Sequence, residues 1–163
     1  MSNLIEKLSS YNFLNNLLPG VIFCYTATQI TNYNFIQNEI IIGLFFYYAV
    51  GLIIGRIGSL FVDCLLRKFA IKSNYTNYIK ASKIDKKLEI LSETNNIYRV
   101  MISVIISLFV IKGYNLLEAY CDFIGKFRYL VLGILLLVLF VFSYKKQTKY
   151  IFDRVNTVLE KGE

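Results

Sequence analysis

Arg56 and Asp63 are the ionisable side chains set deepest in an otherwise apolar stretch, and they lie seven residues apart. Seven residues are two turns of an α-helix, so both would share one face. Charges at membrane depth are costly and mark ion paths, gates or sensors. The plainer reading is that Arg56 snorkels to an interface while Asp63 pairs with it or with Arg67. Catalysis is harder to assemble. The chain has no histidine, which removes an imidazole base, an imidazole metal ligand and any Ser-His or Cys-His arrangement. No paired carboxylates occur within an apolar segment and no phosphate-binding glycine loop follows a strand. Cys24, Cys64 and Cys121 have neither disulfide nor metal spacing. Nothing places a Ser-Lys dyad. The expectation is a protein that is not an enzyme and uses no cofactor or metal.

A second pattern lies on the same segment as Arg56. Gly51, Gly55 and Ser59 recur every four residues, a small-residue stripe that lets helix backbones approach closely in lipid. Its structural reading is helix packing, within one chain or between copies. Its functional reading is a hinge or a pore-lining face.

These residues need a scaffold, and the distribution of apolar residues supplies one. The chain is 56% hydrophobic, and the run from Tyr129 to Tyr144 has no charge and no polar face. A helix apolar all round must be buried in lipid or in a large core, and 163 residues cannot build several such cores. Four apolar segments, near 11–31, 38–60, 97–117 and 128–144, predict an all-α, integral membrane four-helix bundle with cytoplasmic helical extensions. The first segment carries Asn12, Asn15 and Asn16 before Pro19-Gly20. It is a poor lipid-facing element and is expected inside the bundle, started or kinked by Pro19. The short connection 32–38 forces the first two segments into an antiparallel hairpin. Lys112 and Gly113 are read as the end of the third segment, followed by an outer connection over 113–127.

The basic residues set the orientation. Fifteen of the 18 Lys and Arg residues fall on one side of the four-span arrangement, and excess Lys and Arg mark the cytoplasmic side. Both termini, the loop 67–96 and the tail 145–163 are therefore expected inside, in a bacterial inner membrane. The net charge of +7 is explained by this signal and by anionic headgroups, leaving direct nucleic-acid binding disfavoured. Residues 1–10 carry Leu4, Ile5 and Leu8 at interfacial-helix spacing. In the central loop Ile84, Leu88 and Leu91 repeat at helical spacing beside Lys83, Lys86 and Lys87. Ser92 or Thr94 is positioned to cap the helix that becomes the third span. Beyond Tyr144 an apolar row continues through Ile151, Val155 and Val158. Lipid explains neither row. They either dock a soluble cytoplasmic protein or pack on each other as a closed cap.

At the level of the whole chain, the sequence resembles the small four-span membrane proteins that accompany soluble subunits in bacterial anti-phage systems, the membrane subunit of the Kiwa system in particular. The resemblance is carried by Asn15-Asn16-Leu17-Leu18-Pro19-Gly20, by Gly55-Arg56-Ile57-Gly58-Ser59, and by Lys86-Lys87-Leu88-Glu89 with Asn95-Asn96-Ile97-Tyr98-Arg99. It implies a homo-oligomeric membrane sensor or anchor that acts with a cytoplasmic partner. The alternative from the residues alone is a small ion channel or pore-forming effector; a transporter is disfavoured because no internal repeat is visible.

Overall fold

The computed structural model describes residues 13–66, 68, 75–82 and 84–159, a helical protein with no strand among them. The helix expected over residues 1–10, and Arg67, Lys72 and Lys83, lie outside the described residues. A π-helical turn, π1 (Phe13–Leu17), leads into α1 (Leu18–Ile30). Pro19 has no N–H for the carbonyl four residues back, so the regular ladder is interrupted where it enters. From there Pro19, Gly20, Phe23, Cys24 and Ala27 form one buried face, the three-and-four spacing of an amphipathic helix. Thr31 ends the helix: its backbone N–H and its hydroxyl both donate to the Ala27 carbonyl, at 3.0 and 2.7 Å.

The following loop is held by side chains rather than by length alone. Phe35 N–H donates to Thr28 Oγ1 at 3.0 Å, and Gln37 N–H to the Tyr47 hydroxyl at 3.2 Å. The chain then returns antiparallel to α1 as α2 (Ile40–Ile57), π2 (Gly58–Val62) and α3 (Asp63–Leu66), one continuous helix of 27 residues. Within π2 the Asp63 N–H donates to the Gly58 carbonyl, five residues back. A π turn advances less per residue than an α turn, so faces beyond it are rotated relative to faces before it. Beyond that turn Asp63 meets Lys146, while Arg56 before it borders a cavity.

After α4 (Tyr75–Ser82) comes α5 (Lys87–Tyr120), 34 residues without a break. Its start differs from the capping expected at Ser92 or Thr94. Asp85 Oδ1 accepts the Lys87 N–H at 2.9 Å and opens the helix earlier, leaving Ile84 in the preceding turn and Leu88 and Leu91 in the first turns. Its end differs too. Lys112 and Gly113 lie inside the helix, because one glycine costs only about 1 kcal/mol and Lys112 finds a partner: its Nζ donates to the Ile30 carbonyl at 2.6 Å. The 113–127 connection is thus mostly helix, completed by α6 (Asp122–Lys126) before α7 (Arg128–Leu159). As expected, α7 runs well past Lys145-Lys146 without interruption.

The apolar core comes from three helices: Phe23, Cys24 and Ala27 of α1, Ile54 of α2, and Val100 and Val104 of α5. α7 adds nothing to that cluster and leaves Leu130, Leu135, Leu137 and Val141 exposed. The described core cluster is therefore drawn from three helices, with α7 laid along it. Three helices, Ile40–Leu66, Lys87–Tyr120 and Arg128–Thr157, are long and apolar enough to cross a membrane. α1, with 13 residues, rises about 20 Å, short of a bilayer core of about 30 Å; π1 adds a further turn.

Candidate functional site

Close helix packing fixes where the bundle is shut and where it opens. Gly20 and Gly51 allow α1 and α2 to meet backbone to backbone. A Cβ on Gly51 would overlap the Asn16 carbonyl, and one on Gly20 would overlap the Tyr47 carbonyl. One turn further along α2 the situation reverses: a Cβ on Gly55 meets only Asn16 Oδ1, at 4.0 Å. The small-residue stripe therefore divides. Gly51 is the close contact, Gly55 borders open space, and the Ser59 carbonyl accepts a hydrogen bond from Lys146 Nζ. Gly58, outside the stripe, is another tight point, with its Cβ position 2.5 Å from Ser103 Oγ on α5.

The open space is a cavity of about 680 Å³. π1 contributes Asn15 and Asn16, and α2 and π2 contribute Tyr48, Leu52, Arg56 and Ser59. α5 contributes Glu89, Glu93, Asn96, Arg99 and Val100 from one face, and α7 contributes Gln147 and Tyr150. Both π turns thus border the same cavity, in keeping with the frequent placement of such turns at functional sites. Asn16 Nδ2 and the Tyr48 hydroxyl lie 3.5 Å apart, and Arg99 donates to Asn96 Oδ1. Asn15 is 5% exposed, and its Oδ1 has no hydrogen-bond partner; neither has the buried Arg99 Nε. Arg56 and Arg99 make no ion pair among the described residues. The wall offers guanidinium, carboxamide, phenol and carboxylate groups, a set suited to binding a polar ligand.

The opposite end of the bundle carries a smaller opening, of about 250 Å³, bordered by an ion-paired cluster of Tyr33, Glu118 and Arg128. Tyr33 OH donates to Glu118, Arg128 Nη1 lies 3.4 Å from Glu118 Oε1, and the Arg128 guanidinium sits 5.8 Å from the Tyr33 ring centre. Burial, and then the hydrogen bond to Glu118, hold the Tyr33 phenol above its ordinary pKa of 10.0.

Of the residues singled out from sequence, Arg56 faces the cavity and Asp63 is paired 3.2 Å from Lys146 Nζ. The proposed docking residues are not brought together as a closed cap. Ile84 is 89% exposed, Leu91 and Ile151 are more than half exposed, Val155 is nearly so, and Lys86 and Lys87 are exposed. Leu88 is half-buried, and Lys83 lies outside the described residues. Sequence reasoning missed the cavity itself. Its signal was present, an Asn-Asn pair at each of two segment ends plus a lone arginine in a third, but only the packing shows that they converge. Comparison with known protein families, with characterised sequences and with solved structures finds no match for this chain.

Proposed function

We propose that this chain is a membrane subunit that crosses a bacterial inner membrane four times, α1 included, and holds a soluble protein at the cytoplasmic face. In this reading both ends and residues 67–96 are cytoplasmic, the cavity opens on that side, and the chain works as a homo-oligomer. Its role is the sensor or anchor of an anti-phage system, as the resemblance implies. The observation that carries the reading is the apolar row on α7 beyond Lys145-Lys146. Ile151, Phe152 and Val155 are 57%, 64% and 47% exposed where the helix has already left its apolar segment and Lys145, Lys149 and Arg154 surround them. An exposed apolar row ringed by basic side chains suits an acidic soluble partner, steered by charge and held by burial. A pore within one chain is disfavoured, because Ala27, Ile54, Val100 and Val104 close the bundle beyond the cavity.

Two experiments test this. A periplasm-active reporter fused at Ser82 or at Glu163 is expected to stay silent; activity at either position would overturn the orientation. Separately, Leu91→Glu with Ile151→Glu is expected to leave membrane insertion and oligomer size intact while the product of the neighbouring gene no longer co-purifies. Unchanged co-purification would remove the docking role, and conductance from the purified protein in liposomes would restore the channel reading.

A further inference from the structure

Two of the four buried side-chain polar atoms left without a partner among the described residues, Asn15 Oδ1 and Arg99 Nε, belong to the wall of the cavity. A buried polar atom with no partner costs about 1–3 kcal/mol, and an uncompensated guanidinium costs more. Both border the same cavity, where a ligand would supply the partners that the chain does not. Arg99 lies in α5 and Arg56 in α2, on different helices bordering one space. Two guanidinium groups that make no ion pair among the described residues match the oxygens of a phosphate, which accepts parallel N–H bonds from such forks. The Asn15 amide, turned about its last bond, presents an N–H to the same anion.

The carboxylates of the wall constrain the ligand further. Glu93 and Glu89 precede Arg99 on the same face of α5, about 9 and 15 Å along the helix axis, so negative charge lies toward the start of α5 and positive charge deeper. A simple anion would gain from one half of this arrangement and be repelled by the other. Leu52 and Val100 add apolar wall beside the arginines. We propose that the cavity binds a phosphate ester that also carries an ammonium group, of the phosphoethanolamine kind, with its phosphate between Arg56 and Arg99 and its ammonium toward Glu93 and Glu89. Such a group comes either as the headgroup of a membrane lipid or as a soluble compound. The site does not depend on the cytoplasmic partner, and it uses the membrane reading only for the lipid source.

The test uses the full-length chain, stripped of lipid in mild detergent and titrated with short-chain phosphatidylethanolamine, short-chain phosphatidylglycerol and soluble phosphoethanolamine, with occupancy read by native mass spectrometry. The expected order places phosphatidylethanolamine well above phosphatidylglycerol. Equal binding of soluble phosphoethanolamine assigns the soluble source, and binding of the lipid alone assigns the membrane source. Arg99→Gln is expected to weaken binding about tenfold or more, as for loss of a charge-assisted hydrogen bond. Arg56→Gln acts in the same direction and, at an exposed position, leaves folding intact. Glu93→Gln is expected to lower the preference for ethanolamine over glycerol. Gly55→Leu fills the cavity without meeting backbone and should abolish binding at unchanged thermal stability. Phosphatidylglycerol bound as tightly as phosphatidylethanolamine, no binding of any of the three, or Arg56→Gln and Gly55→Leu indistinguishable from the parent would overturn the proposal.

Discussion

The two ends of the bundle solve the same problem in opposite ways. Both carry charged and amide side chains beside apolar helices. At the Lys112 end Lys112, Glu118 and Arg128 each find a partner within the chain. Lys112 sits on the carbonyl terminus of α1, where the helix dipole favours a cation, and Glu118 is shared between Tyr33 and Arg128. At the Arg56 end two guanidinium groups and a buried carboxamide face a cavity instead. An end whose charges are paired within the chain rigidifies a fold, while guanidinium groups left without an ion pair are completed by something outside the chain. The change from one regime to the other takes one turn of α2, between Gly51 and Gly55.

That single turn gives the largest expected effect. Gly51→Leu drives a side chain into the Asn16 backbone, which cannot move without unseating π1 and α1. The cost should be about 3 kcal/mol or more, seen as loss of monodisperse protein after extraction. Gly55→Leu, pointed into the cavity, should stay within about 1 kcal/mol of the parent. Equal damage from both would mean that the boundary between the closed and open ends is drawn in the wrong place.

A smaller effect tests how α7 is attached. With no share in the main core, it is tied among the described residues by an ion pair at its start and another past its middle. Arg128 meets Glu118 at the first, and Lys146 meets Asp63 and the Ser59 carbonyl at the second. Lys146→Met removes both bonds at the cavity end and should cost about 2–3 kcal/mol. Arg128→Gln acts on a pair whose arginine is 39% exposed and should cost no more than about 1 kcal/mol. Thermal melting in detergent separates them; the reverse order would show that α7 is anchored mainly at the Lys112 end.

Lys112→Met comes next. It leaves the Ile30 carbonyl at the end of α1 without its cation while keeping the alkyl stem, a loss of about 1–2 kcal/mol. The same melting experiment measures it, and an unchanged melting temperature would mean that water replaces the ammonium at no cost.

The helices themselves were legible because their causes are local. The uninterrupted apolar run of α7, the short loop after Ile30 and the entry at Pro19 each act over a few residues, and each places its element correctly. Boundaries failed where a tertiary partner overrode a local signal. Lys112 and Gly113 look like a helix end, yet Lys112 is drawn inward by a carbonyl 82 residues away in sequence. The π turn between Arg56 and Asp63 was not legible, because it is invisible to a count of 3.6 residues per turn. The site was legible only as fragments. Asn15, Arg56 and Arg99 are polar residues at segment ends, an ordinary place for them, and nothing in their spacing says that three segments bring them into one cavity.

The smallest expected effect is a pH dependence confined to the closed end. The Tyr33 phenol titrates above 10.0 in the folded protein, first because it is buried and then because it donates to Glu118. The folded state therefore favours the neutral phenol. The stability this contributes is complete below the unfolded pKa of about 10 and is lost as the pH rises through the higher folded value. Tyr33→Phe should lower stability modestly at neutral pH, by about 1 kcal/mol for the lost hydrogen bond to a charged acceptor, and should lose less than the parent on going from about pH 9 to about pH 11. The other 12 of the 13 tyrosines are common to both proteins and cancel in the difference. Parallel melting curves over that range would show that the Tyr33–Glu118 bond opens to water in solution, and the closed end would then be less closed than its geometry indicates.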